Sequence, residues 1–170
     1  MKEVEVKILN INPEEIRNRL LGLGAEKIFK GPVSTTLFDF PGRLLKKNGG
    51  HLRMRRAGKK AELTYKGGKE SKQFKKRHEI GTAVEDYDSM SEILKKLGLK
   101  EIKSYSKIRE SYRLRDMRFD IDIYPKSSGV PPLVEVESTE EGVKEGVSLL
   151  GFQMKDTSTA SIWDLLDYAK

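Results

Sequence analysis

Cysteine is absent from the 170-residue chain, and histidine is nearly so, with two residues. Without cysteine there can be no disulfide scaffold, no thiolate zinc site and no cysteine nucleophile. His51 and His78 do not form the HExxH spacing of a zinc peptidase, so each is read as a surface or rim residue. Long hydrophobic runs are missing too, and none approaches the roughly 20 residues of a membrane-spanning helix. The opening Met1-Lys2-Glu3-Val4-Glu5 lacks the apolar segment of a secretory signal. A cytoplasmic location and no membrane partner are therefore expected. Gly49-Gly50 and Gly67-Gly68 do not have P-loop spacing and read as turns.

Charge, by contrast, is abundant. Charged residues make up 35% of the chain, almost as much as the 36% that are hydrophobic. Net charge is +7, from 33 Lys and Arg against 26 Asp and Glu, which favours anionic partners. The apolar residues are few but periodic, which argues against disorder. The length suits a single domain over 1–170.

A pattern of strand, short helix, Leu-Gly stop and strand recurs. In the first unit Glu3 to Ile8 alternates at period two, and Asn12-Pro13 opens a helix with an Ile16, Leu20, Leu23 stripe that Gly24 stops. Ala25 to Phe29 then resumes as strand. In the second unit Lys75 to Val84 is strand, Ser89 and Glu92 have capping-box spacing, Ile93, Leu94 and Leu97 form the stripe, and Gly98 ends the helix. In the third, Leu133 to Glu137 is strand, Ser138 and Glu141 repeat the box, and Val143, Val147 and Leu150 lead to Gly151. A last helix is expected from about Ser158 to Tyr168, with Ile162, Trp163, Leu165 and Leu166 buried.

Two hairpins lie between these units: His51–Arg55 with Glu62–Lys66, and Lys107–Leu114 with Arg118–Tyr124, the second turning near Asp116-Met117. Gly67 to Lys72 and Lys126 to Pro132 read as polar loops. The pattern predicts an α+β fold of roughly eight or nine mainly antiparallel strands and three or four helices.

The strands put like with like. Glu3, Glu5 and Lys7 share a face opposite Val4, Val6 and Ile8; Arg53 and Arg55 oppose Leu52 and Met54; Lys66 opposes Tyr65. Lys75, Arg77 and Glu79 share a face, Lys107 and Arg109 flank Ile108, Asp120 and Asp122 oppose Ile121, and Glu135 and Glu137 oppose Val136. The striped helices must cover the apolar strand faces, and if they sit outside a curved sheet the charged faces point inward. A polar interior of this kind suits a metal–polyphosphate complex: Lys and Arg bind phosphate oxygens, and carboxylates supply hard oxygen ligands.

These residues resemble the CYTH family, the triphosphate tunnel metalloenzymes, which includes class IV adenylate cyclases, thiamine triphosphatases, inorganic triphosphatases and fungal-type RNA triphosphatases. The matching elements are Glu3-x-Glu5-x-Lys7, Leu52-Arg53-Met54-Arg55, Leu63-Thr64-Tyr65-Lys66, Glu79, Lys107-x-Arg109 with Tyr112, Asp122 and Glu135-x-Glu137. Asp120 competes with Asp122 for the late aspartate position, because the loop Lys126 to Pro132 is long. The stretch from Phe38 to Arg53 is closest to the cyclase-like branch.

The resemblance implies an eight-stranded antiparallel β-barrel forming a tunnel, with helices outside. It implies Mg²⁺ or Mn²⁺ on Glu3, Glu5, Asp122, Glu135 and Glu137. Lys7, Arg53, Arg55, Lys66, Lys107 and Arg109 would grip the triphosphate, with Lys75 and Arg77 as further candidates. Glu5, Lys7, Glu79 and Lys107 carry the catalytic roles in this reading. The expected activity is ATP to cyclic AMP and pyrophosphate, with triphosphate hydrolysis as the alternative. A non-catalytic polyphosphate or RNA 5′-end binding module is the alternative of another class. Nucleic acid is expected only as an RNA 5′ end, and the chain is expected to be a monomer or homodimer.

Overall fold

The computed structural model describes residues 3–69 and 75–168. In chain order its elements are β1 (Glu3–Leu9), α1 (Pro13–Gly22), β2 (Glu26–Asp39), α2 (Leu44–Lys47), β3 (His51–Ala57), β4 (Lys60–Lys69), β5 (Lys75–Val84), α3 (Tyr87–Lys96), β6 (Lys100–Leu114), β7 (Met117–Ile123), β8 (Leu133–Ser138), α4 (Glu140–Leu149), β9 (Thr157–Ser158) and α5 (Ile162–Tyr168). The strands form a nine-stranded, mostly antiparallel sheet, the ninth being the two-residue β9. The described residues divide into two compact units, 32–69 with 77–106, and 3–31 with 75–76 and 107–168.

The larger unit carries the run β6-β7-β8-β1-β9, with β6 contributing its second half from Lys107. One face of these strands supplies Val4, Val6, Ile8, Tyr112, Phe119, Ile121, Val134 and Val136 to a core closed by Ile16 and Leu20 of α1 and Val143 and Val147 of α4. Asn12 opens α1 as expected, its side chain accepting from the Glu14 amide at 3.0 Å with Pro13 in the first turn. α4 lies close to the strands because position 146 is glycine: a Cβ there would stand 2.8 Å from Val136 and 3.2 Å from Phe119.

The other unit carries β5-β4-β3-β2, with β2 from Pro32 and β5 from Arg77. Phe38, Met54, Leu94 and Leu99 form its core, with Leu52, Leu63, Tyr87 and Met90 packed on it. α3 ends at Gly98, whose φ of +93° takes the left-handed region.

Several local expectations are corrected. The residue that caps α3 is Asp86, which accepts from the Ser89 amide at 2.6 Å, so Ser89 lies inside the helix. The cap of α4 is Thr139 rather than Ser138, again with a short acceptor three residues before the bonded amide. Ser158 is in a strand paired with Lys7 of β1, and α5 begins only at Ile162. Gly67 to Lys69 continue β4 through a register shift instead of forming a loop. Leu23, Ile93 and Leu97 are exposed, so the helices bury narrower stripes than their sequences suggest. β2 runs on through Gly31-Pro32 to Asp39, and α2 was not expected. Trp163 and His78 are outside the described side chains.

Candidate functional site

The larger unit gathers charge on the strand face opposite its apolar core. Alternation sends Val4, Val6 and Ile8 one way and Glu5 and Lys7 the other, yet all five are buried. The same holds in β7, where Phe119 and Ile121 alternate with buried Asp120 and Asp122. β6 decides the matter. Lys107 and Arg109 are 6% and 5% exposed, while Ile108 between them is 43% exposed. An ordinary amphipathic strand would put the isoleucine inside and the cations in water.

These charges are tied into one network. Lys7 Nζ lies 2.8 Å from Glu5 Oε1 and 3.0 Å from Glu135 Oε1. Arg109 donates from Nε to Asp122 Oδ1 at 2.7 Å, from Nη2 to Asp122 Oδ2 and to Glu135 Oε2, both at 2.6 Å, and from Nη1 to Asp120 Oδ2 at 2.5 Å. Lys107 Nζ donates to Asp122 Oδ2 at 2.5 Å and to the Tyr124 hydroxyl at 3.3 Å. Arg118 Nε donates to Asp120 Oδ1 at 3.0 Å. Burial works against the charge on Lys7, but the carboxylates of Glu135 and Glu5 outweigh it and hold its pKa above the ordinary lysine value. Burial likewise opposes the charge on Arg109, and Asp122, Glu135 and Asp120 raise its pKa. Charges stripped of water are tolerable only with such charge-assisted hydrogen bonds.

Strand register explains the order of the network. Lys7 faces Glu135 and Glu5 faces Glu137 across β1 and β8. Asp120 faces Glu135 across β7 and β8, and Arg109 faces Asp122 across β6 and β7. Opposed carboxylates such as Glu5 and Glu137 repel unless a cation lies between or beside them. Among the described residues, no three carboxylate or imidazole groups are drawn together closely enough to hold a metal ion as they stand. The donor set itself, all carboxylate oxygen with two opposed glutamates, fits a hard divalent cation.

The second unit has its own charged face on β3, β4 and β5. Arg53 Nη2 is 3.2 Å from Glu62 Oε1 and 3.7 Å from Glu79 Oε1, Arg55 Nη2 is 2.8 Å from Glu62 Oε1, and Lys66 Nζ is 2.6 Å from Glu79 Oε2. The register puts Arg55 opposite Glu62 and Lys66 opposite Glu79, with Met54 buried on the other face. The Nε of Arg53 is buried and, among the described residues, has no hydrogen-bond acceptor. An orphaned buried donor of this kind is costly and calls for an anion or water.

The structure therefore brings together Glu5, Lys7, Lys107, Arg109, Asp122 and Glu135 in one unit, and Arg53, Arg55, Lys66 and Glu79 in the other. Glu137 faces Glu5 in register. The side chains of Glu3, Lys75 and Arg77 lie outside the described residues. Asp120 is on the same face as Asp122, so both aspartates join the cluster rather than one displacing the other. Glu62, Arg118 and Tyr124 were not singled out from the sequence, although Glu62 and Arg118 have the parity of charged neighbours on their strands and Tyr124, just past β7, has the parity of Asp122.

A third cluster lies on the apolar side of β6. Glu110 accepts from Arg17 Nε at 3.0 Å and Nη2 at 2.9 Å and from the Tyr112 hydroxyl at 2.9 Å, with Lys30 Nζ 3.2 Å away. The Arg17 hydrogen bonds hold its pKa down to about 2. Burial, with the Glu110 bond, pushes Tyr112 up to about 12. This group pins α1 to β6.

The family model of the CYTH domain matches residues 1–147. A Methanocaldococcus jannaschii protein named "Putative adenylate cyclase MJ0240" is 32% identical over 155 residues, covering 91% of this chain and 87% of that protein. A solved structure from Vibrio parahaemolyticus, described as a "putative adenylate cyclase", superimposes with a TM-score of 0.87 over 98% of both chains at 19% identity. The solved Hippeastrum protein HpAC1, described as revealing a dominant triphosphatase activity, gives a TM-score of 0.72 at 18% identity, covering 100% of this chain and 97% of that one. At these identities the two structures establish a shared fold. Family match, fold and the ordered acidic and basic strand motifs agree, and the chain belongs to the CYTH family.

Proposed function

We propose that this protein is a divalent-metal-dependent enzyme that binds a triphosphate and converts ATP to cyclic AMP and pyrophosphate. The observation that carries the reading is the inverted strand β6, with Lys107 and Arg109 buried and Ile108 in solvent. Burying cations in this way is favourable only in a site that supplies anions to match them. The unsatisfied Nε of Arg53 supports the same reading, as a donor suited to a phosphate oxygen.

Arg53, Arg55 and Lys66 donate to phosphate oxygens in this proposal, with Lys75 and Arg77 as further donors. Lys7, Lys107 and Arg109 bridge the carboxylates of the larger unit and are the phosphate donors of that unit. Glu79 orients Lys66. Glu3, Glu5, Asp122, Glu135 and Glu137 would hold Mg²⁺ or Mn²⁺, which neutralises phosphate charge and lowers the barrier for the attacking oxygen. In the cyclase reaction the ribose 3′-oxygen bonds to the α-phosphorus, the bond from that phosphorus to the bridging oxygen breaks, and pyrophosphate leaves.

The second reading is hydrolysis, in which water attacks the γ-phosphorus and orthophosphate leaves. It is favoured by the triphosphatase activity described for HpAC1. A panel of ATP, GTP, thiamine triphosphate and tripolyphosphate with Mg²⁺ and with Mn²⁺ separates the two. Cyclic AMP from ATP supports the cyclase. Orthophosphate without cyclic nucleotide supports the hydrolase. No metal-dependent turnover of any member refutes both.

A further inference from the structure

Arg109 is expected to grip phosphate, yet its guanidinium is already engaged. A guanidinium has five N–H donors, and in Arg109 Asp122, Glu135 and Asp120 occupy four of them. Any phosphate contact through this side chain must displace a carboxylate or use the one remaining N–H, on Nη1.

The three carboxylates differ in how easily they can leave. Asp122 holds Arg109 bidentately through Nε and Nη2 and is fully buried. Glu135 shares Nη2 and also holds Lys7. Asp120 makes one bond, to Nη1, the same nitrogen that carries the spare N–H. Its second oxygen already accepts from Arg118 Nε at 3.0 Å, and Arg118 Nη2 reaches Ser111 Oγ at 3.5 Å. Arg118 is 43% exposed at its side chain, so its fork can turn without repacking the core. Asp120 is therefore the one carboxylate of the three that sits between two arginines and can pass from one to the other.

We propose that Asp120 and Arg118 form an exchange pair that gates Arg109. Asp120 occupies the Nη1 edge in place of phosphate. When a triphosphate arrives, that edge turns to a phosphate oxygen and Asp120 closes its fork on Arg118. Asp120 thus acts as a built-in competitor and Arg118 as its holder, both working through Arg109. The proposal rests on the triphosphate reading above.

The test is a double-mutant cycle on tripolyphosphate affinity, measured by calorimetry in EDTA and again with Mg²⁺, at fixed ionic strength. Asp120→Asn should tighten binding about fivefold or more, because the neutral amide competes poorly for Arg109. Arg118→Met should weaken binding by about fivefold in the wild-type background and by less than about twofold in the Asp120→Asn background. Thermal melts check folding, and Asp120→Ser replaces Asp120→Asn if the latter does not fold. Additive effects would mean that the two residues act only as bulk charge, and the exchange would be overturned. Weaker binding by Asp120→Asn would overturn it too. Absence of binding by the wild type in both buffers would defeat the triphosphate reading itself.

Discussion

At the scale of single residues, the charged groups of this protein do two different jobs. Glu5 lies in the buried network beside Lys7 and opposite Glu137. Glu5→Gln should abolish metal-dependent turnover while the circular dichroism spectrum and melting transition persist. Full activity in that variant would remove Glu5 from the proposed metal set.

Glu110 belongs to the other kind. Its folded pKa is held to about 2, against 4.5 for a free side chain. A carboxylate depressed in the fold contributes stability that is complete above its unfolded pKa and is lost as pH falls toward its folded one. Glu110→Gln should therefore cost stability at neutral pH and flatten the acid limb between about pH 4.5 and 2. Tyr112 mirrors this at the alkaline end. Its raised pKa means that stability present below pH 10 is lost as pH rises toward about 12. Urea unfolding across the pH range checks both. An unchanged acid limb in the variant would show that Glu110 is not the group being titrated.

At the scale of elements, helix ends and close approaches decide stability. Asp86→Ala removes the acceptor for the Ser89 amide and should lower stability, read from chemical denaturation. Gly146→Leu puts a side chain where even a Cβ would meet Val136 and Phe119, and should cost more than the lost cap. If the two variants melt alike, α4 has room to shift.

Elements are also where the sequence was most readable. Strict alternation in β1, β3 and β8 announced their two faces, and Asn12-Pro13 announced α1. The capping boxes misled by a few residues, because Ser89 and Ser138 offer the same hydroxyl chemistry as an N-cap and only the backbone turn selects Asp86 and Thr139. The strand expected over Ala25 to Phe29 runs on to Asp39, through Gly31 and Pro32, residue types that are rare inside strands. The burial of the charged faces was legible as an inference from the helix stripes. The particular pairings were not. That Arg109 meets both Asp120 and Asp122 depends on the register of β6 against β7, and alternation alone does not set register.

At the scale of the whole molecule, charge does not spread evenly between the two clusters. The acidic partners in the larger unit match its cations closely, whereas the β3–β5 face leaves Arg53 with an unused donor. Ligand affinity should therefore fall with added salt, since part of the attraction comes from a net charge of +7 acting through solvent. A tripolyphosphate affinity independent of salt between low and physiological concentration would place the attraction in the buried pairs alone. Among the described residues no helix is long and apolar enough to cross a membrane.

Glu5, Lys7, Glu135, Arg109, Asp122 and Lys107 form an unbroken chain of opposite charges. The hydration that such groups give up on folding becomes less favourable as temperature rises, so their desolvation penalty shrinks on heating. The same links that are expensive in the cold become cheaper in the heat, and the protein is thereby biased toward endurance at elevated temperature. Replacing Lys7 by Met should show a larger stability loss, relative to wild type, near the melting transition than at room temperature.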